Sequence, residues 1–189
     1  MSTPTVTHVT PEEYLAAERL SETRSEYLDG GVYPMPGGTA NHGRIVSNVT
    51  TELINQLGDR PCDVFPIDMK ARMPDSRKFF YPDVVAVCGE LQYHDDRREI
   101  ILNPDLVIEV LSPSTEAFDR GAKFQAYRTA GSLKEYLLVA QDSPTVEQYA
   151  RNDDGSWKLT TAVGLESSLT LPSIGCTLNP GTVYKRVEF

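Results

Sequence analysis

A run of six residues, from Leu106 to Leu111, is apolar at every position except Glu109. A continuous apolar strand is typical of the centre of a sheet that is covered on both faces. The run therefore predicts a layered domain built around a central sheet. It also places a carboxylate where burial is unfavourable unless a cation or a proton neutralises the charge.

Capping signals and periodicity predict helices around this sheet. The segment Thr10-Pro11-Glu12-Glu13 has the form of a capping box at a helix start, with proline at the first helical position. Tyr14, Leu15 and Leu20 are expected to face inward from this helix. Apolar side chains at helical spacing, each set followed by a glycine, predict two more helices. They span residues 39–57 and 115–130.

Turn signals separate the remaining strands. Asn152-Asp153-Asp154-Gly155 predicts a hairpin between residues 146–150 and 157–161. A second hairpin is predicted from residues 63–73 and 78–88. The order of elements predicts an α/β (α+β) fold with a mixed central sheet flanked by helices, in a single domain over residues 1–189. Two further predicted strands cover residues 32–35 and 135–140.

Charge and cysteine content limit the possible functions. Eighteen Lys and Arg stand against 27 Asp and Glu, and the net charge is −9. Such a chain should not bind nucleic acid tightly through its overall field, but a local basic patch or bound metal ions can create a site. The odd count of widely spaced cysteines argues against a zinc pattern and a disulfide framework, and Cys88 is expected to fill the core.

Neither a membrane segment nor a secretion signal is predicted. No apolar run approaches the roughly 20 residues that span a bilayer. The N-terminal segment lacks the basic start and apolar stretch of a signal peptide. The expected location is the cytoplasm.

A second carboxylate, Asp83, stands at the head of the apolar stretch Val84 to Val87. Asp83 and Glu109 on neighbouring strands would repel each other, and a divalent cation between them would relieve the repulsion. Their carboxylates are then expected within roughly 4–6 Å of each other. Oxygen ligands suit Mg²⁺ or Mn²⁺ rather than zinc. The alternative is that each carboxylate is hydrogen bonded at a strand end or paired with an arginine.

These residues lie in motifs that resemble a known family. The segments PDVV, IEVLSPST and DRGAKFQAY resemble the Uma-two family of restriction endonucleases, within the PD-(D/E)XK nuclease superfamily. EYLDGGVYPMPG, NHGRIVSNV and KEYLLV follow the order of that family, so the resemblance runs from about Tyr14 to Val183. It implies a restriction-endonuclease-like fold and a metal-dependent endonuclease that hydrolyses DNA phosphodiesters.

The resemblance also implies roles for particular residues. Asp83, Glu109 and the carbonyl of Val110 would bind Mg²⁺ (or Mn²⁺). In the superfamily, a lysine two residues after the glutamate activates the attacking water, but this chain has Leu111 there. Family members with a migrated lysine point instead to Lys123, on the helix that follows the strand.

Lys123 has a plainer interpretation, as does each of the two other residues that the resemblance implicates. Lys123 and Asp119 are four residues apart, which also suits a pair on the helix surface. Glu26, expected at the end of the first helix, would join the metal site or face solvent. His42 would contact phosphate or a metal-bound water, or else be a capping or core histidine.

One strongly basic stretch could contact DNA. It contains Lys70, Arg72, Arg77 and Lys78 against a single acidic residue, Asp75. These side chains would form a phosphate-contacting arm, or they would guard the edge of an exposed hairpin.

Two other functions remain open for the whole chain. The first is a catalytically inactive, dimeric binding or scaffold protein of the same fold, which Leu111 and the net charge favour. The second is a hydrolase of RNA or nucleotide phosphodiesters.

Overall fold

The computed structural model describes residues 8–74 and 77–189, in which helices pack against mixed sheets, as expected for an α+β chain. The elements are α1 (Pro11–Glu18), β1 (Ser25–Leu28), β2 (Gly31–Pro34), α2 (Ala40–Leu57), β3 (Cys62–Pro66), β4 (Lys70–Arg72), β5 (Lys78–Phe80), β6 (Val84–Cys88), β7 (Ile100–Ile101), β8 (Leu106–Val110), α3 (Glu116–Phe118), a π-helical turn (Asp119–Lys123), α4 (Phe124–Tyr127), β9 (Glu135–Val139), β10 (Thr145–Arg151), β11 (Trp157–Val163), β12 (Leu169–Leu171), β13 (Cys176–Leu178) and α5 (Pro180–Val183).

The central sheet has six strands in the order β11-β10-β9-β8-β6-β3. β8 and β9 run parallel, and the other neighbouring strands run antiparallel. All five residues of β8 are buried, so the predicted central strand is confirmed. Glu109, only 2% exposed, is therefore a carboxylate inside the core.

The two faces of β8 pack against different elements. Leu106, Ile108 and Val110 share a core with the buried face of α2. Val107 and Leu111 share a second core with residues of α4. Because side chains alternate along a strand, Glu109 lies on the α4 side, together with Val107 and Leu111.

The predicted helix starts are confirmed. The hydroxyl of Thr10 accepts the N–H of Glu13, and the carboxylate of Glu13 accepts the N–H of Thr10. Tyr14 and Leu15 are buried, but the helix ends at Glu18 and leaves Leu20 88% exposed, so the inward prediction for Leu20 is wrong. No helix within residues 8–74 and 77–189 has the length and apolar character needed to cross a membrane.

The hairpin predicted over residues 63–88 is broken between two sheets. β3 pairs with β6 in the central sheet, whereas β4 pairs with β5 in a five-stranded sheet of order β2-β1-β5-β4-β7. Between β3 and β4 the chain turns at Ile67, which has a positive φ of 55°. Between β5 and β6 the chain turns at Pro82, which has no backbone N–H to donate to a neighbouring strand. The predicted turn includes residues 75 and 76, which lie outside the described part of the chain.

Cys62 and Cys88 form a disulfide. The expectation of no disulfide is wrong for this pair, because the register of β3 and β6 places the two residues directly opposite each other. A count of cysteines cannot reveal a strand register. Cys176 is free and buried.

Candidate active site

The ammonium group of Lys123 lies among three carboxylates. Its Nζ atom is 2.9 Å from Oε1 of Glu26, 2.9 Å from Oε1 of Glu109 and 3.6 Å from Oδ1 of Asp119. None of these four residues is more than 7% exposed. The interpretation of Lys123 as a surface lysine is therefore wrong, and we call these four residues the Lys123 cluster.

The helix that carries Lys123 contains a π-helical turn, from Asp119 to Lys123. The sequence predicted an uninterrupted helix over residues 115–130. π-helical turns within helices occur frequently at functional sites. Here the turn holds both of its charged end residues against the sheet, where each is less than 5% exposed. The sequence placed Asp119 beside Lys123 and directed Lys123 toward Glu109, but it did not indicate that Asp119 is buried.

Glu26 reaches the Lys123 cluster from a strand, so its expected position at the end of the first helix is wrong. It lies in β1, which pairs with β2 and β5. Its Oε1 atom also accepts the N–H of Tyr81, at 3.1 Å. The signal was present in the sequence, since the turn Asp29-Gly30 is typical of a hairpin with a strand on each side.

Asp83 lies at the start of β6, beside Glu109. Val84 pairs with Ile108, and continuing that register by one residue puts Asp83 opposite Glu109. Oδ2 of Asp83 accepts the N–H of Val110 at 2.7 Å. Residues opposite each other in an antiparallel pair project to the same face. The predicted distance between the two carboxylates stays a prediction.

Pro82 leaves the carbonyl of Val110 without a ladder donor. The N–H and C=O of a strand residue point to the same neighbouring strand, and the N–H of Val110 points to the Asp83 side. The continued register places Pro82 opposite Val110, and proline has no N–H to give. Asp83 therefore accepts the N–H of Val110, while Pro82 donates nothing to the Val110 carbonyl oxygen, which can bind another partner.

Burial and mutual repulsion perturb the acidic groups. Burial raises the pKa of Glu109 well above its ordinary value, and the charge of Lys123 only partly opposes this. Burial also raises the pKa values of Glu26 and Asp119, again against Lys123. Perturbed ionisable groups of this kind concentrate at functional sites.

Lys123 stays charged in this environment. Burial alone would lower its pKa, but the charges of Glu109, Glu26 and Asp119 outweigh burial and raise the pKa well above its ordinary value. An ammonium with a raised pKa is a poor proton acceptor at neutral pH. Lys123 can therefore supply positive charge and hydrogen bonds.

His42 contacts Asp83 from helix α2. Its Nε2 atom is 3.0 Å from Oδ1 of Asp83. Burial lowers the pKa of His42, but the hydrogen bond and charge of Asp83 outweigh it and the net shift is upward. Thr39, not His42, is the cap of α2. His42 is therefore placed to hold Asp83 and has a side chain only 17% exposed.

The oxygen donors suit a hard divalent cation by their chemistry. Among the described residues, no three His, Cys, Asp or Glu side chains form a group arranged to hold a metal ion. Mg²⁺, however, is commonly bound through one or two carboxylates with water completing the shell. Oε1 of Glu109 accepts no hydrogen bond, and its close contact is the ammonium of Lys123 at 2.9 Å. Val110 follows Glu109 in β8, and Asp83 precedes the neighbouring strand β6. These three donors fit the expected Mg²⁺ (or Mn²⁺).

The predicted basic arm is not an exposed surface. Lys70 is 5% exposed, with its ammonium 5.3 Å from the centre of the Tyr81 ring, and Arg72 is half-buried. Both belong to β4, inside the second sheet. Arg77 is exposed and the side chain of Lys78 is 25% exposed. Of the four residues, Arg77 has the most surface for a phosphate contact, Arg72 and Lys78 have less, and Lys70 has almost none.

A solved structure shares this fold. A protein of Anabaena variabilis, described as a "putative nuclease belonging to DUF820", superposes with a TM-score of 0.77. The alignment covers 95% of this chain and 99% of that one, at 20% identity. The chain therefore has the restriction-endonuclease-like fold, as the sequence predicted.

The sequence itself defines the family. Residues 11–180 match the model of the Uma2 (Uma-two) family, described as "Putative restriction endonuclease". Two Synechocystis proteins are similar: sll1609 is 38% identical over 156 residues, covering 82% of this chain and 88% of that one. The other, slr1290, is 37% identical over 183 residues, which cover 96% of this chain and 94% of slr1290. The chain belongs to the Uma2 family.

Proposed function

We propose that this protein is a metal-dependent endonuclease that hydrolyses DNA phosphodiesters, folded as one PD-(D/E)XK domain. The observation that carries the proposal is the buried ammonium of Lys123, 2.9 Å from both Glu109 and Glu26. It supplies the positive charge that Leu111 cannot supply from the strand. The description of the Uma2 family and that of the Anabaena variabilis structure both name nucleases, which supports the same reaction class.

Each group has a defined part in this proposal. Asp83, Glu109 and the carbonyl of Val110 would hold Mg²⁺ or Mn²⁺, which supplies Lewis acidity at the phosphate and lowers the pKa of a bound water. Lys123 orients the attacking water and stabilises the charge that develops on the phosphate oxygens. Glu26 positions Lys123 through their ion pair.

The test is a calorimetric titration of the protein with Mg²⁺ and with Mn²⁺, followed by digestion of supercoiled DNA, RNA and a simple phosphodiester. The proposal requires cation binding that is lost in Asp83→Ala, and cleavage of DNA in preference to the other substrates. If RNA or the small phosphodiester is cleaved in preference, that molecule and not DNA is the substrate.

We expect Arg77 and Lys78 to contribute DNA binding and not chemistry. Removing both charges (Arg77→Ala with Lys78→Ala) should weaken binding and reduce the slope of log affinity against log salt by about 2, since each phosphate contact contributes about 0.9. The cleavage rate at saturating DNA should not change. Affinity measured by fluorescence anisotropy at several salt concentrations checks this.

The matched control is Lys158→Ala, which removes an exposed charge from β11 in the central sheet. It should leave both affinity and salt slope unchanged. If the double variant keeps the wild-type salt slope, Arg77 and Lys78 do not contact DNA phosphates.

One observation favours a second candidate, an inactive binding or scaffold protein of the same fold. Glu26, Glu109 and Asp119 already share a cation, the ammonium of Lys123, so the site has an internal counter-charge without a metal. This candidate predicts no cation binding in the calorimetric titration and no cleavage of any substrate.

A further inference from the structure

Tyr127 carries a buried hydroxyl group with no hydrogen-bond partner among the described residues. The residue is completely buried, one helical turn after Lys123 on the same face. Its ring lies 5.2 Å from that of Phe80 and 5.6 Å from that of Tyr136, measured between centroids. The ring is held in place by its neighbours, but its hydroxyl has no acceptor in this arrangement of the site.

Glu109 presents an atom that accepts no hydrogen bond among the described residues. This atom, Oε1, is paired with Nζ of Lys123 by charge, at 2.9 Å. Buried polar atoms without hydrogen-bond partners are rare in folded proteins, and catalytic or ion-binding sites are among the places where they occur. Tyr127 and Glu109 are two such atoms in one site.

The hydroxyl of Tyr127 is a permanent donor. Burial raises its pKa well above the ordinary value, and of the surrounding charges that of Glu109 raises it most. The phenol therefore stays neutral and protonated. Its ring packs in the same core as Val107 and Leu111, which flank Glu109 on the α4 side of β8.

We propose that Tyr127 is a positioning residue of the loaded site, whose hydroxyl donates a hydrogen bond to the Glu109 carboxylate when a divalent cation is bound. This rests on the proposed metal-binding role of Asp83 and Glu109. A cation near Glu109 repels the ammonium of Lys123 and weakens the Glu109–Lys123 pair. A neutral donor can then hold the carboxylate without adding positive charge beside the cation.

The test compares Tyr127→Phe with Tyr184→Phe. Tyr184 is also buried, but its hydroxyl already donates to the carbonyl of Thr145 at 2.7 Å. We expect Tyr127→Phe to weaken Mg²⁺ or Mn²⁺ affinity by roughly 10-fold to 100-fold, the usual effect of losing a group that orients a metal ligand. Its metal-free melting temperature should equal or exceed that of the wild type, because no existing hydrogen bond is lost.

Tyr184→Phe should show the opposite pattern, with a lower melting temperature and unchanged cation affinity. Unchanged cation affinity in Tyr127→Phe would overturn the role of Tyr127. So would a metal-free loss of stability as large as that of Tyr184→Phe, since the hydroxyl would then have a structural partner.

The failure of this role and the failure of the proposed function give different results. If the wild type binds a cation but cleaves no DNA, the proposed nuclease activity is wrong, and the cation affinities of wild type and Tyr127→Phe still decide the role of Tyr127. If the wild type cleaves DNA and Tyr127→Phe has the same cation affinity, only the role of Tyr127 is wrong. If the wild type binds neither Mg²⁺ nor Mn²⁺, both proposals are wrong.

Discussion

Replacing Lys123 with methionine is expected to lower the rate of DNA cleavage by at least ~10²-fold, as for loss of one electrostatic or acid–base group. It should also destabilise the folded protein by about 3–5 kcal/mol, the usual effect of leaving buried charges without their partner. Three buried carboxylates surround Lys123, and methionine has nearly the same shape without the charge. Single-turnover cleavage and urea unfolding measure the two effects.

The loss of stability in Lys123→Met should depend on pH. Glu26, Glu109 and Asp119 have pKa values raised in the folded protein, so the fold binds their protons more tightly than the unfolded chain does. Stability is therefore highest below the unfolded values, about 4, and falls as pH rises toward the folded values. Without the ammonium those folded values rise further. The difference between Lys123→Met and wild type should thus be largest near pH 7 and shrink toward pH 4.

Two further variants separate stability from chemistry. Adding Glu109→Gln to Lys123→Met removes one charge of each sign and should recover part of the stability without recovering cleavage. Adding Leu111→Lys, whose position lies on the same face as Glu109, should restore part of the cleavage. Wild-type cleavage by Lys123→Met in folded form would remove Lys123 from the mechanism.

The second large effect is expected for Asp83→Asn. The amide oxygen can still accept the N–H of Val110, but it lacks the charge that a divalent cation requires. We expect Mg²⁺ affinity to fall below detection by calorimetry and cleavage to fall by at least ~10²-fold. Circular dichroism should show an unchanged fold.

The matched control for this variant lies at the other end of the same strand pair. Asp105 is also buried, and its Oδ2 accepts the N–H of Cys88 at 2.8 Å. Asp105→Asn should leave both cation affinity and cleavage as in the wild type. Equal cleavage by Asp83→Asn and wild type would show that Asp83 only caps the β6–β8 ladder.

The parts of the fold that depend on local signals could be predicted from the sequence. The capping box at Thr10 acts within one helical turn, and the apolar run around Glu109 needs only burial on both faces of a strand. The buried position of Lys123 was also within reach, since Asp119, Lys123 and Tyr127 follow one another at helical spacing.

The parts that depend on which distant strands pair, and on where a strand lies within a sheet, could not be predicted. Cys62 and Cys88 meet because β3 pairs with β6, and Glu26 reaches Lys123 because β1 joins the second sheet. Both are pairings between distant segments. Lys70 shows the same limit: its charge indicated a surface contact, whereas its strand lies inside a sheet and turns the side chain onto Tyr81.

The proposed metal-dependent cleavage is tested most directly by nicking of supercoiled plasmid, each time with Mg²⁺, Mn²⁺ or a chelator. The wild type is compared with the double variant Glu109→Gln/Lys123→Met, which has the same net charge. We expect the wild type to nick DNA with either cation and to stop with the chelator, whereas the folded double variant should not nick DNA under any of these conditions. Equal nicking by both proteins, or no nicking by the wild type with either cation, would contradict the proposal.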